Sequence, residues 1–296
     1  MRTRASESSR PESEPDGEQV ATVALDDDRR LAYAEYGRAD GAPVVFLHGT
    51  PGSRRLGELL DAAARERGIR ILAPDRPGYG RSSPRPTRSV TDAGEFVGAV
   101  LDDADVPEAG LVAFSGGAPY ALATAATRPE RVGRVDVVAG ATPPEVGGET
   151  PAVQRLLSGL ATTTPLVLRG LLRGQAWLAG RLDPSFVVAQ YTTGDAESVP
   201  DDAAAVVKTD FVEAFARHRR GAVTEFRHAA TDWGIRFDDI EAEVRLWHGE
   251  NDANVPIDGV RRLEERIPTA ELRAFEDADH LGTLLRTVPD VLAEHR

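Results

Sequence analysis

The chain contains no cysteine. A disulfide framework, thiolate metal sites and a cysteine nucleophile are therefore excluded. Lysine is almost as scarce: Lys208 is the single one, and every other basic side chain is arginine. Basic residues number 35 against 48 acidic ones, a formal net charge of -13. Phosphate backbones would be repelled, so no nucleic-acid partner is expected. Long apolar runs are missing too. No stretch reaches the roughly 18 to 20 apolar residues of a membrane span. Residues 1–18 are rich in Ser, Glu, Pro and Arg and lack the apolar core of a signal peptide. Their acidic members, among them Glu7, Glu12 and Asp16, also argue against a transit peptide. The segment reads as a disordered tail, and the chain as cytoplasmic, without stable membrane association. An acidic, lysine-poor composition fits either a salt-adapted host or GC-driven codon usage alone.

What is present is enough for a sizeable core. The 296 residues are 41% hydrophobic and 6% aromatic, which suits one α/β domain carrying an insertion. Residues 20–25 and 30–36 read as two strands around the polar turn Asp26-Asp27-Asp28. Pro43-Val44-Val45-Phe46-Leu47 is a continuous apolar run, as in strands buried on both faces of a parallel sheet. Helices are expected at 54–67, 90–104, 116–126 and 281–293. Strands are expected at 69–72, 110–114, 132–139, 244–247 and 271–275. Strand and helix alternate, so the chain is expected to form a mostly parallel, doubly wound sheet of about eight strands. Between 142 and 241 the alternation stops. That stretch reads as a helical cap inserted after the sixth strand, leaving 19–141 and 242–296 as the core.

The strongest local feature is Leu111-Val112-Ala113-Phe114-Ser115-Gly116-Gly117, between an apolar strand and a helical run. A serine on a tight strand-to-helix turn holds its hydroxyl out of the sheet, and close backbone approach demands small residues two places either side. Those places hold Ala113 and Gly117; Ala113 departs from the G-x-S-x-G pattern by one methyl. Taken alone, Ser-Gly-Gly is equally a flexible turn.

A serine needs a base to take its proton. His280 follows the last expected strand, at the sheet edge where ligand sites of open α/β sheets gather. An acid at another strand end would orient it. The segment from Leu246 to Pro256 offers Asp252, with Glu250 as a competitor. Asp277 and Asp279 adjoin the base but are poorly placed to reach the far side of its ring. Acyl transfer also needs donors for an oxyanion. The backbone N–H of Gly116 supplies one, and that of Thr50, in the loop after the third strand, is the choice for the other. His48 and His248 each precede a Gly at a strand end and read as structural. His218, His228 and His295 have no context that lifts them above surface or packing roles.

Four motifs then fall in order: His48-Gly49-Thr50-Pro51-Gly52, Asp75-Arg76-Pro77-Gly78-Tyr79-Gly80, Phe114-Ser115-Gly116-Gly117, and His248-Gly249 through Asp252, with His280 closing the set. Together they resemble the α/β-hydrolase superfamily over residues 20–293. Within it, the chain is similar to capped serine hydrolases such as esterases and proline-iminopeptidase-like enzymes. The resemblance implies the α/β-hydrolase fold, a Ser115–His280–Asp252 triad and no required cofactor or metal. HGTPG stands where the iminopeptidases have HGGPG, which weakens a peptidase reading. A carboxylesterase acting on small to medium esters, as a monomer or homodimer, is the expected function. Aminopeptidase, lactonase, perhydrolase and carbon–carbon bond hydrolase are alternatives on the same residues, and a non-catalytic ligand-binding protein is the alternative of another class.

Residues 165–182 carry eight large apolar side chains, from Leu166 to Leu182, interspersed with Arg169, Arg173 and Arg181. Three readings stand: an apolar helix face roofing an acyl or aromatic pocket, packing on other cap helices, or contact with a membrane interface. The run Asp232-Trp233-Gly234-Ile235-Arg236-Phe237 is expected to anchor the end of the cap to the core.

Overall fold

A computed structural model describes residues 12–13, 19–25, 29–146 and 151–295 of the protein. The expected tail lies outside the described residues except at 12–13, and so does the turn at 26–28.

The apolar runs become a single sheet. In chain order its strands are β1 (Glu12–Ser13), β2 (Gln19–Ala24), β3 (Arg30–Gly37), β4 (Ala42–Leu47), β5 (Ile69–Pro74), β6 (Ala109–Phe114), β7 (Val132–Val138), β8 (Glu243–Gly249) and β9 (Ala270–Phe275). They lie in the order β1-β2-β3-β5-β4-β6-β7-β8-β9. β1, β2 and β3 pair antiparallel, β3 joins β5 antiparallel, and every later pair is parallel. Eight of these strands are those expected. The ninth, β1, is two residues of the expected tail pairing with the start of β2.

Both faces of the sheet are covered. Val45 and Leu47 of β4 face one apolar cluster, while Val44 and Phe46 face the other. This period of two, with both sets buried, is why the strand reads as an unbroken apolar run. The first cluster packs under α2 (Ala93–Asp103), α3 (Ala118–Thr127) and α9 (Ile257–Arg266). The second packs under α1 (Glu58–Arg67) and α10 (His280–Ala293). α9 was not anticipated, although Ile257, Val260 and Leu263 recur every three residues and the last two are buried. α1 and α3 each start later than expected, because a short 3-10 turn (Arg54–Gly57 and Ser115–Gly117) precedes each.

Between β7 and β8 come α4 (Ala152–Thr163), α5 (Pro165–Ala179), α6 (Ser185–Val188), α7 (Asp201–Ala214) and α8 (Arg220–His228). Phe211, Phe215 and Phe226 bury into the second cluster, so this helical unit shares the core beneath it. Trp233 and Phe237 bury into the first cluster and anchor the end of the insertion, as expected. α5 divides its apolar residues between two faces. Leu168 and Leu172 are buried, yet Leu166, Val167, Leu171, Trp177 and Leu178 are exposed, Leu166 at 74%. The buried residues pack α5 on α4, α7 and α8, as one of its three readings expects, and the exposed ones form a separate apolar face.

Candidate active site

β4 and β6 are neighbours, but the chain passes from β4 to β5 on one side and from β6 to β7 on the other. Such a switch point opens a crevice at the carboxyl ends of the strands. The loop after β4 and the turn after β6 both border that crevice.

Ser115 follows β6 with φ of 52°, left-handed for a residue bearing a Cβ. Holding a non-glycine residue there costs about 1–3 kcal/mol, which the surrounding packing must offset. The packing is tight. A Cβ at Gly117 would strike the carbonyl oxygen of Leu47. Ala113 is paired with Leu47 in β4 and Val137 in β7, and its methyl belongs to the first cluster. The departure from glycine is accommodated because that methyl points into the core and away from the turn.

His280 opens α10, and its Nε2 lies 2.8 Å from Ser115 Oγ. Its Nδ1 lies 2.7 Å from Asp252 Oδ2. The other Asp252 oxygen accepts from the N–H of Asn254 at 2.8 Å and of Val255 at 2.9 Å. Asp252 and His280 are both buried. The three residues named from sequence therefore form one hydrogen-bonded line, in which the carboxylate can fix the ring tautomer with Nε2 facing the hydroxyl. Glu250 is not a competitor: it pairs with Arg261 at 2.9 Å. Asp279 caps α10 through the Gly282 N–H at 2.8 Å and also accepts from Thr192 Oγ1 and the Thr193 N–H, tying the loop before His280 to the helical insertion. From the same cap segment, Tyr191 stacks on His280 at 6.3 Å between ring centroids. Phe114 covers another side at 4.9 Å.

The two expected oxyanion donors are brought together. A Cβ built on Gly116 would lie 3.1 Å from the Thr50 amide nitrogen. Among the described residues, the Thr50 N–H has no hydrogen-bond acceptor, so it remains available to a ligand.

What holds this loop was not anticipated. Arg76 is fully buried and donates to the carbonyls of His48 and Gly49 and, at 3.0 Å, to Thr50 Oγ1. Its guanidinium also grips Glu225 of α8 through two bonds of 2.9 and 2.7 Å. Arg88 adds a third at 2.7 Å, Tyr79 a fourth at 3.0 Å, and Thr50 Oγ1 a fifth at 2.6 Å. Burial alone would raise the Glu225 carboxyl. The charge and hydrogen bonds of Arg76, with Arg88, outweigh it and hold the group well below the usual carboxylate range. A second cap carboxylate, Asp210 of α7, accepts from Ser53 N–H at 2.6 Å and Ser53 Oγ at 2.8 Å. Burial pushes Asp210 up to about 7 despite those bonds.

His48 and His248 are buried and hydrogen-bonded within the protein. Burial, reinforced by Arg76, lowers His48 well below its ordinary value. Its Nε2 accepts from the Arg76 N–H at 3.2 Å while Nδ1 donates to Gly49 O at 2.8 Å. His248 Nε2 donates to Val255 O at 2.8 Å. His228 joins Tyr120 to the Arg88 carbonyl. Among the described residues no three His, Asp or Glu side chains converge as a metal-ligand set. No helix among them is long and apolar enough to cross a membrane.

Known proteins show the same frame. A 2-hydroxy-6-oxononadienedioate/2-hydroxy-6-oxononatrienedioate hydrolase of Cupriavidus pinatubonensis is 30% identical over 258 residues, 82% of this chain and 81% of that one. Among solved structures, a bromoperoxidase from Bacillus anthracis superposes with a TM-score of 0.73 at 19% identity, covering 93% of this chain and 99% of the other. An esterase from Rhodococcus sp. ECU1013 gives 0.68 at 20% identity, covering 93% and 98%. Those two likenesses establish the fold. Residues 42–287 match the profile of the alpha/beta hydrolase fold family, and the chain belongs to that family.

Proposed function

We propose that the protein is a serine hydrolase that works through an acyl-enzyme, with small to medium carboxylic esters as its substrates. The line from Ser115 through His280 to Asp252 carries this reading. Ser115 Oγ attacks the ester carbonyl as its proton passes to His280 Nε2, and Asp252 stabilises the resulting imidazolium. The carbonyl oxygen becomes an oxyanion held by the N–H groups of Thr50 and Gly116. Collapse of that intermediate breaks the bond to the leaving alkoxide, which takes the proton from His280. Water then attacks the acyl group, again losing a proton to His280, and Ser115 leaves reprotonated.

An ester is favoured over a doubly charged substrate by the local electrostatics. Arg76 and Arg88, beside the Thr50 loop, are buried and both turned onto the single carboxylate of Glu225, so their hydrogen-bonding forks are engaged within the protein. Phe114 and Tyr191 present ring surface beside the base. Carbon–carbon bond hydrolysis is the second reading, favoured by the name of the Cupriavidus relative. The two are separated by assaying p-nitrophenyl esters from acetate to octanoate beside a vinylogous 1,5-diketone, with Ser115→Ala as control. Ester turnover that disappears in the variant supports the first reading. Turnover of the diketone alone supports the second. Ester turnover retained by the variant contradicts both.

A further inference from the structure

The net charge of the chain is strongly negative, yet one part of the cap gathers arginines without acids. Arg169 of α5 and Arg217, His218, Arg219 and Arg220 at the start of α8 line a cavity of about 310 Å³ together with Pro84. A second cavity of about 160 Å³ shares Arg169 and Arg220 with it and reaches Arg227. Among the described residues, Arg169, Arg217, Arg219 and Arg220 make no ion pair and no side-chain hydrogen bond. This contrasts with Arg54, Arg76, Arg88, Arg134 and Arg245, each of which meets at least one carboxylate.

The backbone adds charge of the same sign. α8 begins at Arg220, has no acidic residue in its first turn and has no side-chain cap. The Gly221 N–H is bound to the Gly78 carbonyl, but the positive end of the helix dipole still adds to the charge of the arginines around it. Arg219 feels the cost. Burial and the charges of Arg173 and Arg169 lower its guanidinium from the ordinary value, and its Nε is buried without a partner. Like charges placed together at a helix N-terminus are unfavourable unless an anion joins them.

We propose that this cavity binds a multiply charged, phosphate-class oxyanion. A single carboxylate would neutralise one of four guanidinium groups. A tetrahedral dianion offers several acceptor oxygens to several planar forks and is favoured by the positive end of the α8 dipole. The site is separate from the candidate active site: Arg220 and Glu225 lie five residues apart on α8, about 7.5 Å along its axis. The oxyanion could be a free phosphate compound or a lipid headgroup, since α5 also exposes Leu166, Val167 and Leu171 beside Arg169.

The test is calorimetric titration of the full chain with inorganic phosphate and with pyrophosphate, against chloride at matched ionic strength. Flotation with phosphatidylcholine vesicles, with and without phosphatidylglycerol, runs in parallel. Both are repeated on Arg217→Gln/Arg220→Gln, whose two sites are exposed. Pyrophosphate should bind more tightly than phosphate, and the double variant should weaken it by about tenfold or more. Without anion, the variant should melt no lower than the wild type, because like-charge repulsion is relieved. Binding confined to phosphatidylglycerol vesicles and lost in the variant would identify the headgroup as the source. The proposal is overturned if phosphate, pyrophosphate and phosphatidylglycerol all fail to exceed their controls, or if the variant binds them as well as the wild type.

Discussion

In the core, apolar clusters close both faces of the sheet, and the arginines packed against it, such as Arg54 and Arg76, are matched to carboxylates. In the cap, the inner surface follows the same rule: Glu225 and Asp210 reach down to the loop carrying Thr50 and Ser53. The outer surface breaks it, with Leu166, Val167 and Trp177 exposed and Arg217 and Arg220 unpaired. The cap is thus built to one standard toward the core and another toward solvent. Its inward face completes a site, and its outward face is left with groups that a folded chain alone does not satisfy.

The largest expected effect lies in the core. Ser115→Ala should lower ester hydrolysis by roughly three orders of magnitude or more, with an unchanged melting temperature. A fall in both would mean that the hydroxyl serves structure as well as chemistry. Next comes the inward face of the cap. Glu225→Gln leaves Arg76 and Arg88 buried without a counter-charge, at a cost of about 3–5 kcal/mol in denaturant unfolding. It should also lower kcat by loosening Thr50. Stability close to the wild type would show that the cap is not tied to the core through this pair.

Leu168→Ala and Leu166→Ser compare the two faces of one helix. Leu168 is fully buried, and its truncation should cost about 2–5 kcal/mol. Leu166 is exposed at 74%, and its replacement should stay within about 0.5 kcal/mol. The last effect depends on pH. The Asp210 carboxyl is pushed up to about 7 by burial, against an ordinary value of 3.8, so the folded state holds its proton more tightly than the unfolded state. Its contribution to stability is full below pH 3.8 and is lost as the pH rises through about 7. Asp210→Asn removes that slope, so its melting temperature should gain on the wild type between about pH 5 and 8.

The sheet and the Ser115, Asp252 and His280 alignment were legible because each rests on a short contiguous signal. Buried parallel strands read as apolar runs, and each of the three residues sits in a turn or loop just beyond such a run. Glu225 was not legible. It lies 149 positions from Arg76, between Thr224 and Phe226 on a helix where a carboxylate ordinarily faces water. Asp75-Arg76-Pro77-Gly78-Tyr79-Gly80 stood out as a motif, but the task of Arg76, holding the carbonyls of the Thr50 loop, depends on a partner brought in by the cap. α5 shows the limit of periodicity. An apolar stripe marks one helix face, but spacing does not say whether that face turns inward. α9 is the opposite case: Ile257, Val260, Leu263 and Ile267 carry a helical spacing that could have been read.

The activation of Ser115 is tested most directly by a fluorophosphonate probe followed by peptide mapping. A single adduct on Ser115 is expected in the native protein, absent after heat denaturation and slowed about a thousandfold or more in His280→Ala. Native protein that stays unlabelled, or that is labelled equally in Ser115→Ala, would contradict the assignment of Ser115 as the nucleophile.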